Sequence, residues 1–195
     1  MTFATPLIEG ILIRRYQRFL ADVRLTDGGI VTAHCANTGS MLQMATPGSR
    51  VMLSKAANPE RKTSYDWQLT EVAGRWAGVN TAVPNMLLRE GFEQGIIPEF
   101  RNFTSFRAEV RYGERSRADA MLTGPGGVLY VEAKNVTLVE NGRALFPDAV
   151  TGRGLKHLDE LIREIEAGNR AAMFFLSQRM DADSIGAAAH IDPVY

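Results

Sequence analysis

Two acids and a base in the second half of the chain have the types and spacing of a metal-dependent phosphoryl site: Asp119, Glu132 and Lys134. Side chains in a strand alternate between faces. In the apolar run 128–136, Leu129, Val131 and Ala133 fall on one face, while Tyr130, Glu132 and Lys134 fall on the other. A buried charge is costly unless it is paired or bound to a metal. Asp119 is a lone acid in the middle of the preceding run, 117–122, and Gly124-Pro125-Gly126-Gly127 reads as the hairpin joint. With a four-residue joint, Thr123 faces Val128, and Asp119 lies opposite Glu132 on the same face. A bulge at these glycines would shift that register. Two carboxylates one strand spacing apart suit a hard cation such as Mg²⁺ or Mn²⁺ that keeps several waters. Lys134 beside them would hold or polarise an attacking water and offset phosphate charge. The competing reading is a plain Glu132–Lys134 ion pair at a sheet edge.

Other residues are candidates to complete the site. Glu90 falls on the helix before the sheet and Glu109 on its first strand, and either acid would reach a metal directly or through water. Surface acids with no such role are the alternative for both. The helix after the sheet carries Arg153, Lys156 and His157 early and Glu164 and Glu166 late. That order opposes the helix dipole, and it makes sense where the bases meet an anion. A solvated face is the alternative. Gln178, ending the next strand, is a weaker candidate.

In the first half, Arg14, Tyr16 and Arg18 alternate onto one strand face. Bases flanking an aromatic suit a single-stranded backbone with a base stacked on the ring, and Trp67 and Trp76 would serve similarly. Equally, the aromatics are barrel core and the arginines solvated. His34 and Cys35 are adjacent, so in a strand they point apart, which disfavours both a zinc pair and a Cys–His nucleophile. No CxxC or HxxxH spacing occurs.

Positioning these residues requires two kinds of domain. Residues 1–83 read as short strands with Gly-rich turns: 7–25 as one long strand, then 30–35, 50–54, 65–72 and 76–80. Five such strands make a small, closed or nearly closed barrel. The pattern changes at Pro84-Asn85. Asn85 is expected to cap a helix through Met86, Leu87, Leu88 and Phe92, and Gly95 to stop it. Strands follow near 106–112, 117–122 and 128–136. Next comes a helix with Leu155, Leu158, Leu161, Ile162 and Ile165 on one face and Gly168 as its stop, then a buried strand at 170–178. Residues 84–195 thus read as an α/β domain, and the whole as α+β / α/β.

The bulk composition narrows the function classes. Over 195 residues, 45% are hydrophobic and 23% charged, which are globular values. The 22 basic and 22 acidic residues cancel, so a strongly basic nucleic-acid binder is excluded, though a local basic groove is not. No apolar run approaches the ~20 residues that span a bilayer. One cysteine makes no internal disulfide, and the start lacks a signal-peptide pattern, so a cytoplasmic protein is expected.

Ordered blocks along the whole chain resemble the sugar fermentation stimulation protein A family of bacterial proteins. They include 15–23 (RYQRFLADV), 34–39 (HCANTG), 78–81 (GVNT), 109–113 (EVRYG), 116–119 (SRAD), 130–138 (YVEAKNVTL), and 146–151 (FPDAVT) through Lys156-His157-Leu158. The resemblance implies an N-terminal OB-like β-barrel and a C-terminal restriction-endonuclease-like domain of the PD-(D/E)xK type. It places Asp119, Glu132 and Lys134 on the signature positions and Glu90 where a helix acid assists. It also implies DNA binding, with RNA open as an alternative, and a role in regulating sugar (maltose-type) utilisation genes. Ala36, Ala120 and Gly152 depart from the family's usual residues, but none removes a candidate ligand. Relatives continue for a few dozen residues past Tyr195, so the second domain is expected to be shortened. The expected functions are a Mg²⁺- or Mn²⁺-dependent nuclease, or a non-catalytic DNA-binding regulator. A small-ligand sensor built on Asn37-Thr38-Gly39 is a weaker third, and homo-oligomerisation is left open.

Overall fold

Strand alternation in the first half closes a barrel. The computed structural model describes residues 2–113 and 116–195. Its first strands are β1 (Ile8–Tyr16), β2 (Leu20–Leu25), β3 (Ile30–His34), β4 (Arg50–Lys55), β5 (Tyr65–Val72) and β6 (Arg75–Gly78). The neighbours run β3-β2-β1-β4-β5, and a parallel β3–β5 pairing joins the two ends, giving a closed five-stranded OB-like barrel with β6 added beside β5. Leu12, Val23, Val51, Leu53 and Trp67 fill the interior. Closure leaves these five strands without an open edge.

The expected long strand 7–25 is instead a hairpin. Gln17 and Arg18 turn the chain with φ 49° and 67°, and Tyr16 pairs with Leu20. No Gly or Asn marks this turn, so the usual signal for a left-handed backbone is missing.

The chain then builds the second sheet. Helix α1 (Val83–Glu93) starts earlier than expected, with Pro84 in its first turn, where a missing N–H costs nothing. Asn85 therefore lies inside the helix and is not its cap. Gly95 ends it as expected, with φ 66° and its N–H on the Phe92 carbonyl. Strands β7 (Ser105–Tyr112), β8 (Ser116–Gly124) and β9 (Gly127–Val136) follow. The β8–β9 register pairs Thr123 with Val128 and Ala120 with Val131, which is the register the four-residue joint implied.

Strands β10 (Leu138–Glu140) and β11 (Arg143–Phe146) form a short hairpin over Asn141-Gly142, both at positive φ. Helix α2 (Gly152–Glu166) and strand β12 (Arg170–Ser177) come next, and β13 (Ser184–Ala187) pairs in parallel with β11. The second sheet runs β12-β9-β8-β7. One cluster joins Ala120, Leu122, Leu129 and Val131 to Leu88, Phe100 and Phe103; another joins Tyr112, Ala118 and Leu161, with Tyr130 packed on it.

The α2 face differs from the expected one. Ile162 and Ile165 are exposed, while Gly154, His157, Glu160 and Leu161 are buried. Thr151 caps the helix by accepting from the Gly154 N–H at 3.0 Å, and Gly168 follows its end with φ 89°. Strand β12 is half-buried along its length rather than fully buried.

In space the chain forms two compact units that are not consecutive. One holds residues 1–82, 136–148 and 177–188; the other holds 83–135, 149–176 and 189–195. The segments 136–148 and 177–188 carry the three-stranded sheet β10-β11-β13 and belong with the barrel.

The second core has a single-residue test. Leu122 is fully buried there. Leu122→Ala is expected to cost about 2–5 kcal/mol of unfolding free energy, the range for removing a buried leucine. Urea unfolding followed by circular dichroism checks this; a change under about 1 kcal/mol would contradict the packing described.

Candidate active site

The register of β8 and β9 sets the site. Ala120↔Val131 is the last pair of the ladder toward the site. One residue further, the Asp119 side chain replaces a backbone partner: its Oδ2 accepts the Ala133 N–H at 2.7 Å. Its Oδ1 accepts from Asn85 Nδ2 at 2.8 Å. Asp119 is therefore oriented at both oxygens. Glu109 falls opposite Asp119 in the β7–β8 register, which pairs Ala108 with Ala120 and Val110 with Ala118. It holds a left-handed φ of 55°. Ala118 and Ala120, two apart on one strand, pack in different clusters. The β7–β8 ladder skips the Glu109–Asp119 pair but keeps its register on either side.

Glu132 is 3% exposed. Its Oε1 accepts from Lys134 Nζ at 2.6 Å and also meets His157 Nδ1. Arg153 Nε reaches the other ring nitrogen, Nε2, at 3.5 Å. These partners favour the tautomer with the proton on Nδ1, aimed at Glu132. Lys134 Nζ also lies 3.5 Å from His157 Nδ1. Lysine, histidine and arginine thus gather on one side of a single buried carboxylate. The other oxygen, Glu132 Oε2, is buried with no hydrogen-bond partner.

Two tyrosines register this negative charge. Burial, and then the charges of Glu132, Glu160, Asp119 and Glu164, push the Tyr112 hydroxyl well above the ordinary tyrosine range. Burial and then Glu132 push Tyr195 up to about 12. The segment before Tyr195 is tied down: Asp192 accepts the N–H of Thr151 at 2.9 Å and those of Val194 and Tyr195 at 3.3 and 3.2 Å. The Thr151 N–H, followed by the others, lowers the Asp192 pKa, since these bonds favour the ionised carboxylate.

A cleft of about 460 Å³ opens over the site. Glu109, Asp119 and Glu132 line it, as do Arg117, Arg153, Lys156 and His157. Acids and permanent bases therefore meet in one space. The donor set fits a hard divalent cation. It offers carboxylate oxygens, and an orphaned buried oxygen on a charged group needs a partner to offset its desolvation. Among the described residues no group of three or more His, Cys, Asp or Glu is placed to hold a metal. A cation here would therefore rest on Asp119, Glu132 and water, a mode Mg²⁺ tolerates.

The candidates from the sequence divide clearly. Asp119 and Glu132 line one cleft with Glu109, Arg153 and Lys156, and Lys134 bonds Glu132. His157 is not a surface base waiting for phosphate: it is buried against Glu132. Glu90 is not among the residues lining the cleft and accepts from Gln94 Nε2 at 3.3 Å. Gln178 does not join the site; it donates to the Asn80 carbonyl in the barrel unit.

In the barrel, Arg14 pairs with Asp22 at 2.8 Å and lies 4.8 Å over the Tyr16 ring, whose hydroxyl also donates to Asp22. Arg18 is in the turn rather than on the strand face, and its guanidinium donates twice to the Thr38 carbonyl. The three do not form a shared strand face. Trp67 is core, and Trp76 lies under Arg50 with the guanidinium 5.3 Å from the ring. Sequence reasoning missed Asn85 as the residue holding Asp119. The available signal was its spacing: Asn85 and Leu88 are three apart on α1, so they share the face that Leu88 buries.

The tyrosines offer a pH test. A folded pKa raised above the unfolded value of about 10 favours the protonated form in the fold. The associated stability is fully present below pH of about 10 and is lost as pH rises through about 12. Tyrosinate absorbance should therefore show two of the five tyrosines, Tyr112 and Tyr195, ionising last. Titration of all five together near pH 10 would contradict the burial described.

Comparison with known proteins agrees with this architecture. Residues 82–195 match the profile described as the sugar fermentation stimulation protein RE domain, and residues 13–79 match the SfsA N-terminal OB domain. The chain is 58% identical over 190 residues to a sugar fermentation stimulation protein homolog of Pelobacter propionicus, covering 97% of this chain and 83% of that one. It is 55% identical to the homolog of Geobacter sulfurreducens, over 100% of this chain and 84% of the other. Among solved structures it resembles Pyrococcus furiosus SfsA in complex with Ca²⁺, with a TM-score of 0.89 and 29% identity, over 99% of this chain and 81% of that one.

Proposed function

The chain belongs to the sugar fermentation stimulation protein family, and from that premise we propose that it is a DNA-binding protein whose Asp119–Glu132–Lys134 cleft hydrolyses phosphodiester bonds with Mg²⁺ or Mn²⁺. The observation that carries the reading is the buried, unpartnered Oε2 of Glu132 beside an Asp119 oriented at both oxygens. The Pyrococcus furiosus protein, solved in complex with Ca²⁺, lends support, since Ca²⁺ is another hard, oxygen-seeking cation.

Asp119 and Glu132 would hold the cation. When bound, it would activate a water and offset charge on the phosphoryl oxygens. The chain's own residues do the rest. Asn85 and the Ala133 N–H aim Asp119, and His157 and Lys134 fix the direction of the Glu132 carboxylate. Lys134, whose ammonium lies 2.6 Å from Glu132 Oε1, would also hold the incoming water or a phosphate oxygen. Arg117, Arg153 and Lys156 would receive the phosphate backbone through charge-assisted hydrogen bonds.

The test is incubation of the purified protein with single- and double-stranded DNA, and with RNA, in Mn²⁺. Cleavage is expected, and Glu132→Ala or Lys134→Ala should reduce it by about 100-fold or more, the scale of losing one preorganised charge-stabilising or proton-transfer group. Cleavage unchanged in both variants would sink the assignment.

One observation favours a second reading. Lys134 and His157 already partner Glu132 Oε1 from within the fold, so the site is partly satisfied without a cation. A non-catalytic DNA-binding regulator of maltose-type sugar utilisation genes would show salt-sensitive binding with no cleavage in any divalent metal.

A further inference from the structure

The barrel unit contains a second cleft, of about 850 Å³, built from other residues. It lies at the β1–β2 turn (Gln17, Phe19, Leu20), on β3 (Thr32, His34) and at the β4–β5 loop (Arg61, Lys62, Thr63). In a chain of zero net charge, this lining has two cationic residues, a histidine, an amide and hydroxyls, and no carboxylate. It also has an aromatic ring, Phe19, that is 45% exposed although a barrel core lies close by in sequence.

The turn that presents Phe19 is held at some cost. Gln17 and Arg18 both take left-handed φ values, which side-chain-bearing residues rarely adopt. Arg15 Nη2 donates to the carbonyls of Arg18, Asn37 and Gly39 at 2.7, 3.0 and 2.9 Å, and Arg18 donates to the Thr38 carbonyl. The ring is thereby fixed at the cleft rather than folded inward.

The loop across from it is also fixed. Arg61 Nη2 meets Asp66 Oδ1 at 2.9 Å and Thr63 Oγ1 at 3.2 Å, and its Nη1 meets Asp66 Oδ2 at 3.2 Å. His34 Nδ1 lies 3.3 Å from Asp66 as well. The nearby acids are thus engaged within the barrel, Asp66 by Arg61 and His34 and Asp22 by Arg14, Tyr16 and Thr32, and Lys62 stands exposed.

We propose that this cleft binds single-stranded nucleic acid, with a base stacked on Phe19 and the backbone phosphates met by Lys62 and Arg61. A planar ring beside a cationic, acid-free wall matches a stacking platform on an electrostatic track. In five-stranded barrels of this connectivity, strands 2 and 3 with the 1–2 and 4–5 loops form the usual face for linear polymers. The assignment moves nucleic-acid contact away from Arg14, Tyr16 and Arg18, whose polar groups are engaged within the barrel. It rests on the DNA-binding part of the proposed function but not on hydrolysis.

The test is fluorescence anisotropy of a labelled oligodeoxythymidylate of about ten nucleotides, within the span of one such barrel. The full chain is used at low salt, with a chelator present so that cleavage plays no part. Binding is expected. Phe19→Ala should weaken it about 5- to 150-fold, the worth of one stacked base. Lys62→Ala should flatten the salt dependence by about 0.7 in the log–log slope. Ile30→Ser, an exposed change on β3 outside the cleft, should leave affinity unchanged. All three residues are exposed, so melting temperatures near that of the parent chain are expected and separate binding from folding.

Absence of oligonucleotide binding overturns the inference. So does equal affinity in Phe19→Ala and Lys62→Ala, binding of free thymidine monophosphate without the polymer, or binding of a neutral oligosaccharide in its place. Each of these leaves the metal-dependent cleavage assay to stand or fall separately.

Discussion

One buried carboxylate organises the second unit. Glu132 is almost without solvent, and a charge in that position is tolerable only with partners. Lys134 on the same strand and His157 on α2 supply them at one oxygen. To bring His157 there, α2 must turn its His157–Glu160–Leu161 face inward, which leaves Ile162 and Ile165 outside. The apolar stripe of the helix therefore gives way to an electrostatic requirement. The same acid, after the effect of burial, raises the pKa values of Tyr112 and Tyr195, so its influence reaches β7 and the last residue of the chain.

Asp119 completes this arrangement from β8. An acid beside another acid needs orientation, and Asp119 gets it from the backbone of the neighbouring strand and from α1. The β8–β9 ladder thus ends where the carboxylate begins. The left-handed backbone at Glu109 and the split of Ala118 from Ala120 mark the same point. A left-handed residue beside the candidate site is the kind of local backbone strain that gathers at functional sites.

The sequence made the strand-borne part of the site readable. Alternation put Glu132 and Lys134 on one face, in agreement with the bond between them, and the glycine joint set the β8–β9 register as far as the Ala120–Val131 pair, short of Asp119 itself. Partners on helices were harder to see. Asn85 has the residue type of a cap and lies next to Pro84, so local chemistry suggested a cap, whereas its real partner is 34 residues away in sequence. His157 looked like one of three surface bases because nothing local distinguishes a buried histidine from an exposed one. The β1–β2 turn was unreadable for a related reason. Long-range bonds from Arg15 and Arg18 stabilise its left-handed residues, and no glycine announces it. The β10–β11 hairpin did have a local signal, Asn141-Gly142, but such short strands find their third member only at β13.

The parallel pairing of β11 with β13 has a consequence for how the chain is made. Residues of α2 and β12, which belong to the other unit, are synthesised between those two strands. As the polypeptide leaves the ribosome, β11 must wait with one side unpaired while more than a helix's worth of foreign sequence emerges. An unpaired strand is a template for wrong partners. Arg143 at the start of β11 and Gly186 on β13 bear on this. A Cβ at Gly186 would meet the Arg143 guanidinium, which lies over the glycine. A charged residue at the head of the waiting strand discourages pairing with other chains until β13 arrives.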